Sequence, residues 1–302
     1  MVEGILVEGL IYGILALGVF VSFRILDFPD LTVEGSFPAG AAAGAVVASA
    51  LNISPNVVLR ALAVPAGMLA GFVTGGVAGF ATAAVYHKLR VPPLLAGIVT
   101  MTGFYSINLR ILGGKPNYPL ITNNPMLKLA RSFLGGALPS EWSLFASCVL
   151  VCLLLFGLLD FFFHTEIGIA MGALGDNENA VVQAGIQPNR LRTWGIMLAN
   201  ALPGLSGAMA AAYQGFADVN LGQGVVAAGL ATVMLGELII HSQFISVQLL
   251  RVFLGSILFR ALMYAARSWG YVAGITPNDL RLLTALLIIA SVALSRVKRK
   301  RS

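Results

Sequence analysis

Five stretches of this chain, 35–59, 61–86, 91–109, 142–159 and 193–217, contain no Asp, Glu, Lys or Arg. Each is about as long as the ~20 residues that a helix needs to cross a ~30 Å hydrocarbon core. A buried helix of a soluble domain rarely needs one such run, and never five. The runs do not alternate apolar and polar residues, so a closed barrel of ~10-residue strands is excluded. Only 11% of the 302 residues are charged, where soluble domains carry about 25%. The expected fold class is all-α, a polytopic transmembrane helix bundle forming a single domain over 1–302.

Hydropathy and loop signals divide the chain into about nine spans: 5–23, 35–51, 57–85, 92–112, 143–163, 193–213, 222–240, 245–266 and 280–295. The net charge of +6 is not spread as a nucleic-acid surface, because Arg296, Lys298, Arg299, Lys300 and Arg301 cluster at the end. By the positive-inside rule that tail is cytoplasmic, against the headgroups of the lipid bilayer. An odd number of spans then puts the N-terminus outside. Arg24, Lys88, Arg90, Arg190 and Arg192 fall in inner loops with the tail, against Lys115, Lys128, Arg131 and Arg267 outside. That bias of ten to four agrees with the orientation. Glu3 and Glu8 without a basic start argue against a cleaved leader. The outer loop 113–141, broken by Pro116, Pro119, Pro125 and Pro139, reads as ordered loop or short helix.

Cys148 and Cys152, four residues apart in an apolar run, read as packing residues rather than a disulfide or metal site. His87, His164 and His241 sit at span ends, so no metal site is expected. Gly67, Gly71, Gly75 and Gly79 form three successive GxxxG steps, which let helix backbones approach closely in lipid. Static packing and a moving helix interface both remain open for that stripe.

The inner loop 165–192 is far longer than a connector needs. Asp176, Asn177 and Glu178 suit a helix start, with Asp176 as the cap. Ala180 lies inside the turn, and Ala184, Gly185, Ile186 and Pro188 end it. A short helix from about 177 to 185, lying across the inner face, follows. Charges inside spans cost ~2.5–3.5 kcal/mol each at a helix centre, so Glu237 and Arg260 are candidates for a mutual ion pair or for solute contact. Glu34, Ser36, Asn108, Asn200 and Tyr213 are further polar groups suited to a translocation pathway.

This loop resembles the coupling region of ABC-importer permeases of the branched-chain amino acid type. Gly172, Ala173, Asn177, Ala180, Ala184, Gly185, Ile186 and Arg190 fall where that family places its small, amide and basic positions. The next helix carries Pro203, Gly204, Leu205, Ser206, Gly207 and Ala208, similar to the family's Gly-rich segment. The family's Arg-Ala pair is replaced by Gly172-Ala173-Leu174. A second match is Leu26-Asp27-Phe28-Pro29-Asp30 with Gly35-Ser36 and the small residues 39–44, although the family's His-Gly is absent. This variant is similar to a branch whose binding proteins include ones for aromatic amino acids.

The resemblance implies a multi-pass permease of a bacterial plasma (inner) membrane that imports an amino acid or similar small polar solute. It implies a homodimer, an external solute-binding protein, and a separate ATPase subunit that holds ATP and Mg and grips the 165–190 loop. The chain has no phosphate loop of its own, since Gly114-Lys115 is followed by Pro116. It is therefore expected to be no enzyme and to hold no cofactor. An ion-coupled secondary transporter, with Asp27, Glu34 or Glu237 as its acids, is the main alternative. A membrane-embedded enzyme would need a reactive cluster, and the sequence contains none.

Overall fold

A computed structural model describes residues 2–120 and 140–272, with isolated positions between 282 and 289. Helix α1 (Val2–Phe20) runs into a π-helical turn (Val21–Ile25), and an extended connection leads to α2 (Val33–Asn52). The short α3 (Val57–Ala61) precedes α4 (Ala63–Leu89), followed by α5 (Pro93–Ile111) and the strand β1 (Asn117–Pro119). After α6 (Ser140–Phe163) come two helices outside the bundle, α7 (Glu166–Asp176) and α8 (Glu178–Gln183). Then follow α9 (Pro188–Gln214), β2 (Phe216–Asp218), a 3-10 turn (Val219–Gly222), α10 (Val225–Ile239) and α11 (Ile245–Val272).

Seven of the described helical segments are long and apolar enough to cross a membrane. Helix α2 is 20 residues long but rich in Ala and Gly. It needs little oiliness because α4, α5 and α9 enclose it. The sequence span 57–85 divides into α3 and α4, and span 280–295 falls largely outside the described residues. The described part of the outer loop is ordered and holds β1, which pairs antiparallel with β2. The backbone groups at that end of the bundle thereby satisfy each other.

Small residues decide which helices are central. The most apolar window of α9 is 89% buried, against 22% in α6. Gly67, Gly71, Gly75 and Gly79 all face one groove between α2 and α9. A Cβ on Gly67 would stand 2.7 Å from the Gly44 oxygen, and one on Gly71 the same distance from the Gly204 oxygen. A Cβ on Gly75 would lie 2.9 Å from the Gly204 Cα, and one on Gly79 2.9 Å from the Met197 Cα. Bare backbone is what lets three helices share one axis of contact. Gly207 likewise seats against Phe37, and Ser206 donates to the Ile11 oxygen at 2.6 Å. Cys148 and Cys152 are free and buried between α6 and its neighbours.

Candidate functional site: a polar face at bilayer depth

Helix α10 has only 15 residues. At 1.5 Å per residue it is about 22 Å long, short of the ~30 Å core. Two contacts fix its depth. Glu237, near its end, lies 3.4 Å from Arg24 in the π-helical turn that continues α1. Gly229 seats against Leu15 and Val19. Val225, one turn before Gly229, is therefore level with about the middle of α1. Helix α10 therefore starts part-way along the bundle, and the span-length segment 219–239 consists of the 3-10 turn and α10 together.

The segment before it must descend from the β1–β2 end to that depth. The Val219 amide donates to the Pro116 oxygen at 3.0 Å, and Gly222 presses on the Glu34 backbone and Pro38. The 3-10 turn packs on α2 and α5. The Gly224 amide then donates to Glu34 Oε1 at 3.1 Å, and the Val226 amide also points at that carboxylate. Glu34 thus covers donors at the start of α10, where a helix leaves its first N–H groups without internal partners. Asn220, Gln223 and Gly224 are nonetheless exposed. Irregular backbone at membrane depth is tolerated only inside protein or beside water.

The exposed face of α5 adjoins this segment. Thr102, Ser106 and Arg110 recur at i, i+4 and i+8, with Gly103 and Tyr105 between them, and all are exposed. Nothing lies within 4 Å of where a Gly103 Cβ would be. The exposed faces of other helices differ: α6 shows Leu150, Leu153, Leu154, Leu158 and Phe161, and α4 shows Leu69, Val73, Val77 and Phe80. Those suit lipid, as do Leu94, Leu95, Ile98 and Val99 in the first half of α5. Its second half, from Thr102 to Arg110, mixes hydroxyls and a charge with Tyr105 and Ile107 and suits contact with water or a polar partner.

Behind this face lies a buried polar node. Asn200 Nδ2 donates to Asp30 Oδ2 at 2.6 Å, and the Thr32 amide donates to Asp30 Oδ1 at 2.8 Å. The Thr32 and Thr82 hydroxyls are 2.6 Å apart. Asp30, in the connection between α1 and α2, is fully buried, and burial pushes its carboxyl above the usual carboxylate range against these opposing hydrogen bonds. Asn108 donates to the Gly35 oxygen at 3.2 Å, and Ser36 is buried with its hydroxyl near the Val33 oxygen.

Glu237 and Arg260 do not pair with each other. Glu237 lies 3.0 Å from buried Arg251, which needs that charge more than Arg260 does. Arg260, in the middle of α11, lies 3.3 Å from Glu8 and stands 3.5 Å from the Tyr12 ring centre. Tyr213 sits near Gly4 at the same end as Glu8. These groups join helices; they do not converge with Glu34, Ser36, Asn108 and Asn200. Sequence reasoning missed Thr102, Tyr105, Ser106, Asn220 and Gln223. The four-residue spacing of Thr102, Ser106 and Arg110 was the available signal.

On the opposite side from β1 and β2, α7 and α8 lie across the bundle end. Thr165 caps α7 through the Gly168 amide, and Gly175 packs against Ile25. Asn177, rather than Asp176, caps α8: its Oδ1 accepts from the Asn179 and Ala180 amides at 3.1 and 3.3 Å. Asp176 instead ends α7. Gly185, at φ +78°, closes α8, and the Ile186 amide returns to the Val181 oxygen at 3.2 Å. Asp176, Asn177, Glu178, Ala180, Ala184, Gly185 and Ile186 are all exposed. Among the described residues no group of His, Cys, Asp and Glu is placed to hold a metal.

A family model described as the permease component of branched-chain amino acid transport systems matches residues 1–292. A tyrosine transport system permease of Clostridioides difficile (strain R20291) is 34% identical over 291 residues, 96% of this chain and 89% of that one. A ribose import permease of Bacillus subtilis (strain 168) is 30% identical over 150 residues, 49% of this chain and 44% of its own. An autoinducer 2 import permease of Yersinia pestis (strain Pestoides F) is 26% identical over 171 residues, 57% and 46% of the two chains. No solved structure matches the chain.

Proposed function

The chain belongs to the branched-chain amino acid transport system permease family, and on that premise we propose how it carries solute. It is the permease subunit of an ABC importer for small solutes. The solute we propose is an amino acid, with an aromatic one favoured by the similarity to a tyrosine permease. In our reading the chain crosses a bacterial inner membrane nine times, with α7 and α8 inside and the N-terminus outside. Two copies face each other, and each contributes its α5 face and its 215–224 segment to a shared path. Two ATPase subunits, which hold ATP and Mg, grip the α8 helices, and an external binding protein delivers solute to the other end.

The exposed irregular backbone at bilayer depth carries this reading. Lipid leaves such groups without partners, so their surroundings must be aqueous or protein. Glu34, beside the start of α10, belongs to the wall of the path. Ser36, Asn108 and Asn200 support that wall from behind. Tyr213, Glu237 and Arg260 join helices away from that wall. Closure of the ATPases would rock the two permeases between outward- and inward-facing states.

Proteoliposomes holding the permease, its ATPase and its binding protein provide the test. Uptake of radiolabelled tyrosine or phenylalanine is expected to require ATP and to survive a protonophore. Uptake without ATP that a protonophore abolishes would place the chain among secondary transporters.

A further inference from the structure

Besides the backbone packing of Gly175 on Ile25, movement of α8 can reach the path through side chains that touch in series. One such series is present. Glu178, the first residue of α8, meets Arg192 in the second turn of α9 at 2.8 Å. Arg192 is only 12% exposed. Its guanidinium also stands 5.6 Å from the Tyr86 ring centre and 3.5 Å from the Tyr86 hydroxyl, near the end of α4. The Tyr86 ring meets Phe28 edge-on at 5.2 Å. Phe28 is buried in the connection between α1 and α2, and its carbonyl accepts from the Ser22 hydroxyl at 2.6 Å. Two residues further on, Asp30 is held by Asn200, and Thr32 meets Thr82. Two more residues reach Glu34, which holds the start of α10.

We propose that Arg192 is the positioning residue that converts movement of the ATPase-docking helix α8 into movement of the α1–α2 connection and the Glu34 clamp. The proposal rests on the reading of α8 as the docking helix. The chemistry explains why an arginine sits here. A planar guanidinium pairs with a carboxylate along its edge while its face lies on an aromatic ring. It therefore ties three elements, α8, α9 and α4, at one point. A lysine ammonium keeps the charge and loses the stacking. Asp27, at φ +47°, marks the connection as a place where the backbone is already held in a sparsely populated conformation.

A purely local anchor and a transmitting residue differ in what they change. The measurement uses the full permease–ATPase complex with Ser106→Cys on the α5 face and a membrane-impermeant maleimide as probe. Native Cys148 and Cys152 are buried, so labelling reports position 106. In the unsubstituted complex, Mg-ATP with vanadate should change the labelling rate. In Arg192→Gln and Tyr86→Leu, the ATPase should stay bound and hydrolyse ATP as before, while that change shrinks about tenfold, within the range that coupling residues reach. Arg192→Lys should fall between. The double swap Glu178→Arg with Arg192→Glu should recover part of the response. Variants that respond like the unsubstituted complex would overturn the proposal. So would loss of the ATPase from Arg192→Gln, which would make Arg192 a docking residue. An unsubstituted chain that retains no ATPase would instead remove the docking reading itself.

Discussion

At the scale of single residues, the two glycines Gly75 and Gly103 separate packing from path. A Cβ on Gly75 runs into Gly204 backbone, which has no flexible end to move aside. Gly75→Leu should cost about 3 kcal/mol or more and lower the melting temperature in detergent sharply. Gly103 lies on α5 with open space around it. Gly103→Ala should keep or raise the melting temperature, since alanine is the better helix former by about 1 kcal/mol. Equal losses from both would contradict the packing described. The glycine stripe was legible in sequence because spacing alone reveals it. The partners of Glu237 and Arg260 were not, because nothing local says that Arg251 lies 3.0 Å from Glu237 or that Glu8 meets Arg260. Asp30 was equally hidden: its partner Asn200 is 170 positions away.

At the scale of elements, start and stop signals in the sequence place α8 at about 177–185, within two residues of Glu178–Gln183 at each end. They failed to separate α7 from it, because Asp176 and Asn177 both suit a helix start and only the backbone shows which one caps. Helix α10 was legible as an apolar run. Its late start was not, since the polar segment before it has no periodicity. A side chain at Gly185, at φ +78°, would strain the end of α8 by about 1–2 kcal/mol. Gly185→Val should therefore loosen the ATPase by about tenfold and abolish uptake, while the binding protein's own affinity for solute stays unchanged. Normal uptake and co-purification of that variant would remove α8 as the coupling helix.

At the scale of the whole molecule, the bundle sorts its surfaces by chemistry. The glycine-lined axis of α2, α4 and α9 is solid, α6, α4 and the first half of α5 present hydrocarbon outward, and the second half of α5 with the 215–224 segment presents hydroxyls, amides and bare backbone. In the proposed two-copy arrangement a single chain would supply one side of the path. Sequence reasoning reached the membrane fold and the family, because charge-free runs and loop motifs are one-dimensional signals. It missed the polar face, because exposure of Thr102 or Asn220 depends on what packs beside them. Cysteine accessibility tests that face most directly. With a membrane-impermeant thiol reagent added outside intact cells, Thr102→Cys, Ser106→Cys and Asn220→Cys should label, while Leu153→Cys and Leu158→Cys on α6 and Ala184→Cys on α8 should not. Equal silence at the α5, 220 and α6 positions, with a reagent that reaches only Ala184→Cys, would contradict both the path and the orientation.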